Sequence, residues 1–409
     1  MHTPSPKNYP FTAAPHRMLF FAGACQIVLV MAWWLLEIGG RYTGGWTPPP
    51  TVIPAMWSHV FLMLFGIFPF FIFGFLLTVY PRWMNGTAVP AGRYIGIFWL
   101  LVSGMTLYYI GLYSSTRLLA LALVIQLIGW GMATLTLITV YARAAQRGPH
   151  EKILNLALLA GMAGIALFLH ALLTGTGHSI LLARSVGLWL FLLPVVFVVS
   201  HRMLPFFSNS VLVNYTMVRP AWSLPLMLVC VTGHALFEAL AMPQWLFVFD
   251  LPLALTALHH TLVWKFTRSF QVRLLAVLHI AFLWLGIALL LYSLQSLTLL
   301  LTGSAPLGRA PLHALGIGFV ASMLLAMASR VSLGHSGQPL MADTLTWFCF
   351  LGLGVSTLLR IAAELVLNIP GLSGGLNIAA AVAWLISTGL WVWHYAPLYL
   401  RPRQDGKAG

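Results

Sequence analysis

The chain carries fourteen histidines against seven acidic residues, and only 7% of its residues are charged. Imidazole can carry a proton, bind a metal, or hold haem iron as an axial ligand. At membrane depth an ionisable group is costly, faces a bundle interior and marks a function. The stretch HALGIGFVASMLLAMASRVSLGHSGQPL, His313 to Leu340, sets two histidines, an arginine and methionines along one apolar segment. At 100° per residue, His313, Gly316, Val320, Met323 and Met327 fall within an arc of about 80°. His313 and Met327 stand about 21 Å apart along the axis, too far to share one metal, so a partner ligand must come from another helix. Arg330 and the turn Gly334-His335-Ser336-Gly337 follow at the inner end. A guanidinium and backbone N–H groups there suit an anion such as a haem propionate or a lipid phosphate. Met327, Arg330 and His335 are thus candidate cofactor-binding residues.

The other histidines fall into two layers. His59 lies roughly 8 Å and His234 roughly 10 Å from the outer ends of their spans. His170 lies near an outer end and His313 begins its span. These four are candidate metal ligands. Glu238 follows His234 at i+4 on one face, and Glu364 follows Arg360 at i+4 in a pair that can neutralise itself. Glu238 and Glu364 are candidate proton carriers. The inner layer holds His259, His260 and His279, each about 9 Å from the inner end. Neighbouring residues point about 100° apart, so only one of His259 and His260 can face a given ligand. One of them with His279 is a candidate axial pair for a haem. His178, His201 and His394 read as helix-end histidines hydrogen-bonded to nearby backbone.

These residues must be positioned by membrane helices. Sixty per cent of the chain is hydrophobic, whereas soluble domains carry about 25% charged residues. About twelve apolar spans, each near the roughly 20 residues that cross a bilayer, are predicted at 18–39, 54–80, 94–114, 118–142, 153–173, 184–206, 220–241, 244–264, 274–301, 310–330, 343–367 and 374–398. The expected fold is an all-α, polytopic integral membrane helix bundle. It has a tail at 1–17, one transmembrane domain at 18–398 and a tail at 399–409. Of the 21 Lys and Arg, only Arg41, Arg117, Arg184 and Arg309 fall on loops opposite the N-terminus. Arg360 lies within a span and the rest, Lys7 and Lys407 included, share the N-terminal side. The positive-inside rule then puts both termini in the cytoplasm. The polar start and long first span read as an anchor rather than a cleaved signal.

Composition also excludes several classes. The charge of +14 is spread without a dense basic run, so nucleic acid is not an expected partner. Cys25, Cys230 and Cys349 are scattered, which argues against a disulfide framework, a zinc ribbon or an iron–sulfur site. Without CxxCH, any haem is a non-covalent haem b. No Walker A sequence is present to bind ATP, and no internal repeat is convincing.

The stretch LAMASRVSLGHSGQPL resembles the NnrS family of haem- and copper-containing bacterial membrane proteins linked to nitric oxide. His313, Met327, Arg330, Leu333, Gly334, His335, Gly337, Pro339 and Leu340 match its pattern of a His-led helix ending in Met, Arg and a Leu-Gly-His-(Thr/Ser)-Gly turn. FGFLLTVYPRW (Phe73 to Trp83), RLLAVLHIAFLW (Arg273 to Trp284, with His279) and RMLPFF (Arg202 to Phe207) are similar to shorter family elements. One departure stands out. Where the family's second span opens with Trp-His-x-His-Glu-Met, this chain keeps His59 and Met63 but has Phe61 and Leu62, so a metal site using that second His or the Glu is incomplete.

The resemblance implies a bacterial inner-membrane protein with one or two haem b groups and copper as a further candidate. It implies binding, and as a candidate activity the reduction, of nitric oxide within the bilayer. Membrane lipid is a partner and the electron donor is unidentified. In that reading His260 (or His259) and His279 hold one haem, and His59, His234 and His313 build a second site near the outer face. The alternative is a proton-coupled secondary transporter without haem, with Pro69, Pro194 and Pro252 breaking helices. A structural partner in a respiratory complex is a third.

Overall fold

The computed structural model describes residues 10–405; Lys7, Lys407 and the outermost parts of both tails lie outside the described residues. The described chain is a bundle of twelve apolar helices: α1 (Pro15–Thr43), α2 (Ala55–Trp83), α3 (Ala91–Ser114), α4 (Thr116–Arg143), α5 (Pro149–Thr174), α6 (Gly177–Val211), α7 (Ser223–Ala239), α8 (Pro243–Val263), α9 (Arg273–Thr302), α10 (Ala310–Ser336), α11 (Thr344–Leu365) and α12 (Pro370–Leu400). Eleven of them are long and apolar enough to cross a membrane, and α7 is the shorter exception. The protein is a multi-pass membrane helix bundle.

The short α7 also crosses. Arg17 at the start of α1 donates from Nη1 to the carbonyl of Arg401, just past α12, at 2.7 Å. The two ends of the bundle therefore meet on one side, which requires an even number of crossings. Seventeen residues rise about 26 Å, close to the thickness of the hydrocarbon core. The turn around Pro220 closes one end of α7. At the other end Ala241 takes a left-handed φ of 55°, ahead of the 3-10 turn Pro243–Trp245. This trims the expected span of 220–241.

Other edges shift as well. Helix α1 begins at Pro15, which suits the first turn because proline lacks the N–H that would go unpaired there. His16 and Arg17, assigned by sequence to a tail, are thus buried helical residues. Helix α6 runs well beyond the expected 184–206 at both ends. Helices α2, α6, α9 and α10 are the most enclosed, and the other helices carry more lipid-facing surface.

Three of the four enclosed helices widen locally into π-helix, at Leu62–Ile67 in α2, Val186–Leu192 in α6 and Ala314–Ala321 in α10. Each segment lies toward the end of the bundle away from the termini, the outer end in the orientation expected from the sequence. Such bulges turn a helix face and cluster at functional sites. Nothing in the apolar pattern announces them.

Candidate functional site

Two of the bulges follow directly on a histidine. His59 stands three residues before the one in α2, and His313 immediately precedes the one in α10. His59 and His313 lie within electrostatic reach of each other at the outer end, and the charges of Arg309 and Arg360 reach both rings. Trp34 of α1 stacks on His59 with ring centroids 3.9 Å apart. The His59 Nδ1 is buried and has no hydrogen-bond partner. His313 donates from Nδ1 to the Arg309 carbonyl at 2.9 Å, which leaves its Nε2 as the acceptor nitrogen.

Two helices fix the cations. Arg360 pairs with Glu364 one turn later on α11 at 2.6 Å, the self-neutralising pair expected from sequence. The second Glu364 oxygen accepts from the Arg309 backbone N–H at 2.9 Å. One Glu364 carboxylate thus ties α11 to the start of α10. Arg360 keeps a buried Nη1 with no partner. Arg41 of α1 lies within electrostatic reach of His59.

Arg309 also walls a cavity of about 190 Å³ between α6, α7, the start of α8, α9 and α10. Arg184, Trp189, His234, Glu238, Tyr292 and Gln295 line it as well. Arg184 and Glu238 form an ion pair across it. His234 is held from behind: its Nδ1 lies 2.6 Å from Asp250 Oδ1, and Trp189, on the third bulge, stacks on the ring at 3.4 Å. The expected shared face of His234 and Glu238 is present, because both line the cavity. Glu238 Oε2 and Gln295 Oε1 are buried without partners. Acceptors left that way are satisfied by water, and this volume is several times the ~10–15 Å³ that one water needs.

His170 stands apart from both groups. It is exposed and shares its Nδ1 with Ser179 Oγ at 3.0 Å.

In the inner layer, His260 is buried and His259 exposed, the single inward choice expected of neighbours. His260 Nδ1 donates to the Thr256 carbonyl at 2.7 Å and its Nε2 meets Ser223 Oγ at 3.2 Å. His279 Nε2 meets Ser208 Oγ at 3.1 Å. The two rings turn to different partners. Arg330 does not join His335. It lies over the Phe207 ring at 3.9 Å and reaches Ser210. His335 sits in the last helical turn of α10, which only Gly337, at φ 76°, brings to an end. The His335 ring instead packs against His16 with centroids 4.5 Å apart. Met327 lines an apolar cavity at mid-depth.

Sequence reasoning passed over three residues. His150 Nε2 lies 2.9 Å from His201 Nδ1, while His201 donates from Nε2 to the Pro220 carbonyl at 3.2 Å. The expected backbone bond of His201 is there, and a second imidazole with it. His394 pairs with Asp343 at 3.3 Å, and His178 is exposed. His16 was hidden in a stretch that reads as a polar tail. Asp250 was hidden because its partner lies sixteen residues away; a carboxylate inside an apolar span was the available signal.

Among the described residues, no group of three or more His, Cys, Asp or Glu is arranged to hold a metal ion. The His59 Nδ1, buried without a partner, and the His313 Nε2 are the ring nitrogens left open to a group that asks the protein for an imidazole. A family model described as NnrS protein matches residues 10–403, and no curated protein matches the chain.

Proposed function

Because the chain belongs to the NnrS family, membrane proteins linked to nitric oxide, we propose that it is a haem b protein of the bacterial inner membrane that binds nitric oxide within the bilayer. His59 and His313 are the residues we assign to hold the haem. The observation that carries this is that both stand at the outer end within electrostatic reach of each other and of the same arginines, each with a ring nitrogen free of partners. Haem would supply one-electron chemistry and, with its iron ligated by only one of these two imidazoles, a position open to nitric oxide.

The chain's own groups divide the remaining work. Arg360, with its unpartnered Nη1, and Arg309 offer guanidinium forks to propionates. Glu364 orients both. Trp34 fixes the plane of His59. The hydrated cavity beside Arg309 brings water to the outer end, and Glu238 on its wall carries protons there. His260 and His279, engaged on hydroxyls and backbone, position α8 and α9 against α7 and α6. The basic side of the bundle is assigned to the cytoplasm by the positive-inside rule.

A pyridine haemochrome assay on protein matured in cells tests this. The expected result is a Soret band that His59→Ala and His313→Ala abolish and His260→Ala and His279→Ala retain. A fully matured preparation without a Soret band refutes the proposal. Loss only in the inner variants overturns the ligand assignment.

A further inference from the structure

A second cavity, of about 60 Å³, lies in the middle of the bundle between α1, α2, α6 and α10. Phe20, Phe68, Phe71, Val199, Met323 and Met327 are among its walls, and every side chain that lines it is Phe, Ile, Leu, Val, Met or Ala. Water in a protein cavity needs two to four polar partners, and apolar cavities stay dry. This one offers no polar side chain. Its volume is several times the ~10–15 Å³ of a single water, yet well below the ~150 Å³ cavity that takes a benzene ring. A porphyrin is excluded, and what remains is a small apolar gas.

Its position is specific. Phe68 is nine residues beyond His59 on α2, and Met323 is ten beyond His313 on α10, so the cavity lies about 15 Å deeper than the outer imidazoles on the same two helices. Met327 stands eight residues, about 12 Å, before His335. Phe20 abuts His16 at 6.1 Å between ring centroids. The cavity is therefore at mid-depth, between the outer pair His59 and His313 and the inner pair His16 and His335.

We propose that this cavity is a holding site for a neutral, apolar diatomic gas on its way to or from the outer end. That the gas is nitric oxide rests on the reading above; the cavity's affinity for an apolar gas does not. Xenon is the probe. Full-length protein crystals under xenon pressure are expected to show one atom between Phe71 and Met327. Ala328→Leu, which fills the cavity, should lower its occupancy at least tenfold with unfolding temperature and elution unchanged. Should that variant fold poorly, the smaller Val199→Ile should lower occupancy in the same direction. Wild-type protein with no xenon at this place overturns the proposal, as does a folded variant that still holds it. A haem-free protein that takes xenon refutes the haem reading alone, and a haem-loaded protein that takes none refutes the gas site alone.

Discussion

His234 of α7 and Asp250 of α8 lie 2.6 Å apart, each side chain only 1% exposed, across the turn that joins their antiparallel helices. Breaking a buried pair strands the surviving partner, which costs about 3–5 kcal/mol. Asp250→Ala should therefore lower the unfolding temperature sharply in detergent. The i,i+4 pair Arg41–Glu37, whose arginine is exposed and whose glutamate is half-buried, is the contrast: Glu37→Ala should cost under about 1 kcal/mol. Equal effects from the two would refute the burial argument.

Glu364 acts through two other groups, since one oxygen holds Arg360 and the other the Arg309 N–H. Glu364→Gln keeps the shape and removes the charge. Loss of an orienting group behind a ligand typically costs 10–100-fold in affinity. The expected outcome is weaker haem retention by about that factor, read by transfer of haem to an apo-acceptor, with helix content unchanged. Unaltered retention would show that the arginines are set by other contacts.

Gly337 ends α10 at φ 76°, where a Cβ would stand 2.9 Å from Asp405 Cγ. A left-handed backbone costs a residue with a side chain about 1–2 kcal/mol. Gly337→Ala should destabilise by that amount and Gly337→Asn by less, measured by chemical denaturation. The C-terminal segment, whose Gln404 N–H donates to the Ser336 carbonyl at 3.0 Å, should become more sensitive to protease in the Ala variant.

Asp343 caps α11, accepting from the Thr346 N–H at 2.8 Å. Partial burial pushes its carboxyl upward, and the hydrogen bonds from Thr346 outweigh this and hold it below the usual carboxylate range. The sign follows: the cap is fully formed above the unfolded value of about 3.9 and fades as pH falls through the folded value. Asp343→Ala should cost about 1 kcal/mol at neutral pH, and wild type and variant should converge in stability once pH falls below the folded value. A gap that persists in acid would exclude the cap as its source.

Periodicity and length made the spans legible, because crossing hydrocarbon forces long apolar runs. The choice between His259 and His260 was legible in part: geometry allows one inward ring, and packing against Ser223 decides which. Arg330 was read with His335 because they are five residues apart, yet Phe207 and Ser210 on α6 claim its guanidinium. His16 with His335, His150 with His201, and His234 with Asp250 are all contacts between helices, and no single helix pattern encodes which of its neighbours it will touch.

The widened turns below His59 and His313 hold more residues per turn than regular helix. Were 314–321 wound as regular helix with every residue kept, His313 would face about 100° further round the axis, because the wide turns absorb the angle of about one surplus residue. In this bundle the facing of an imidazole is therefore set by a purely greasy segment that holds no ligand itself.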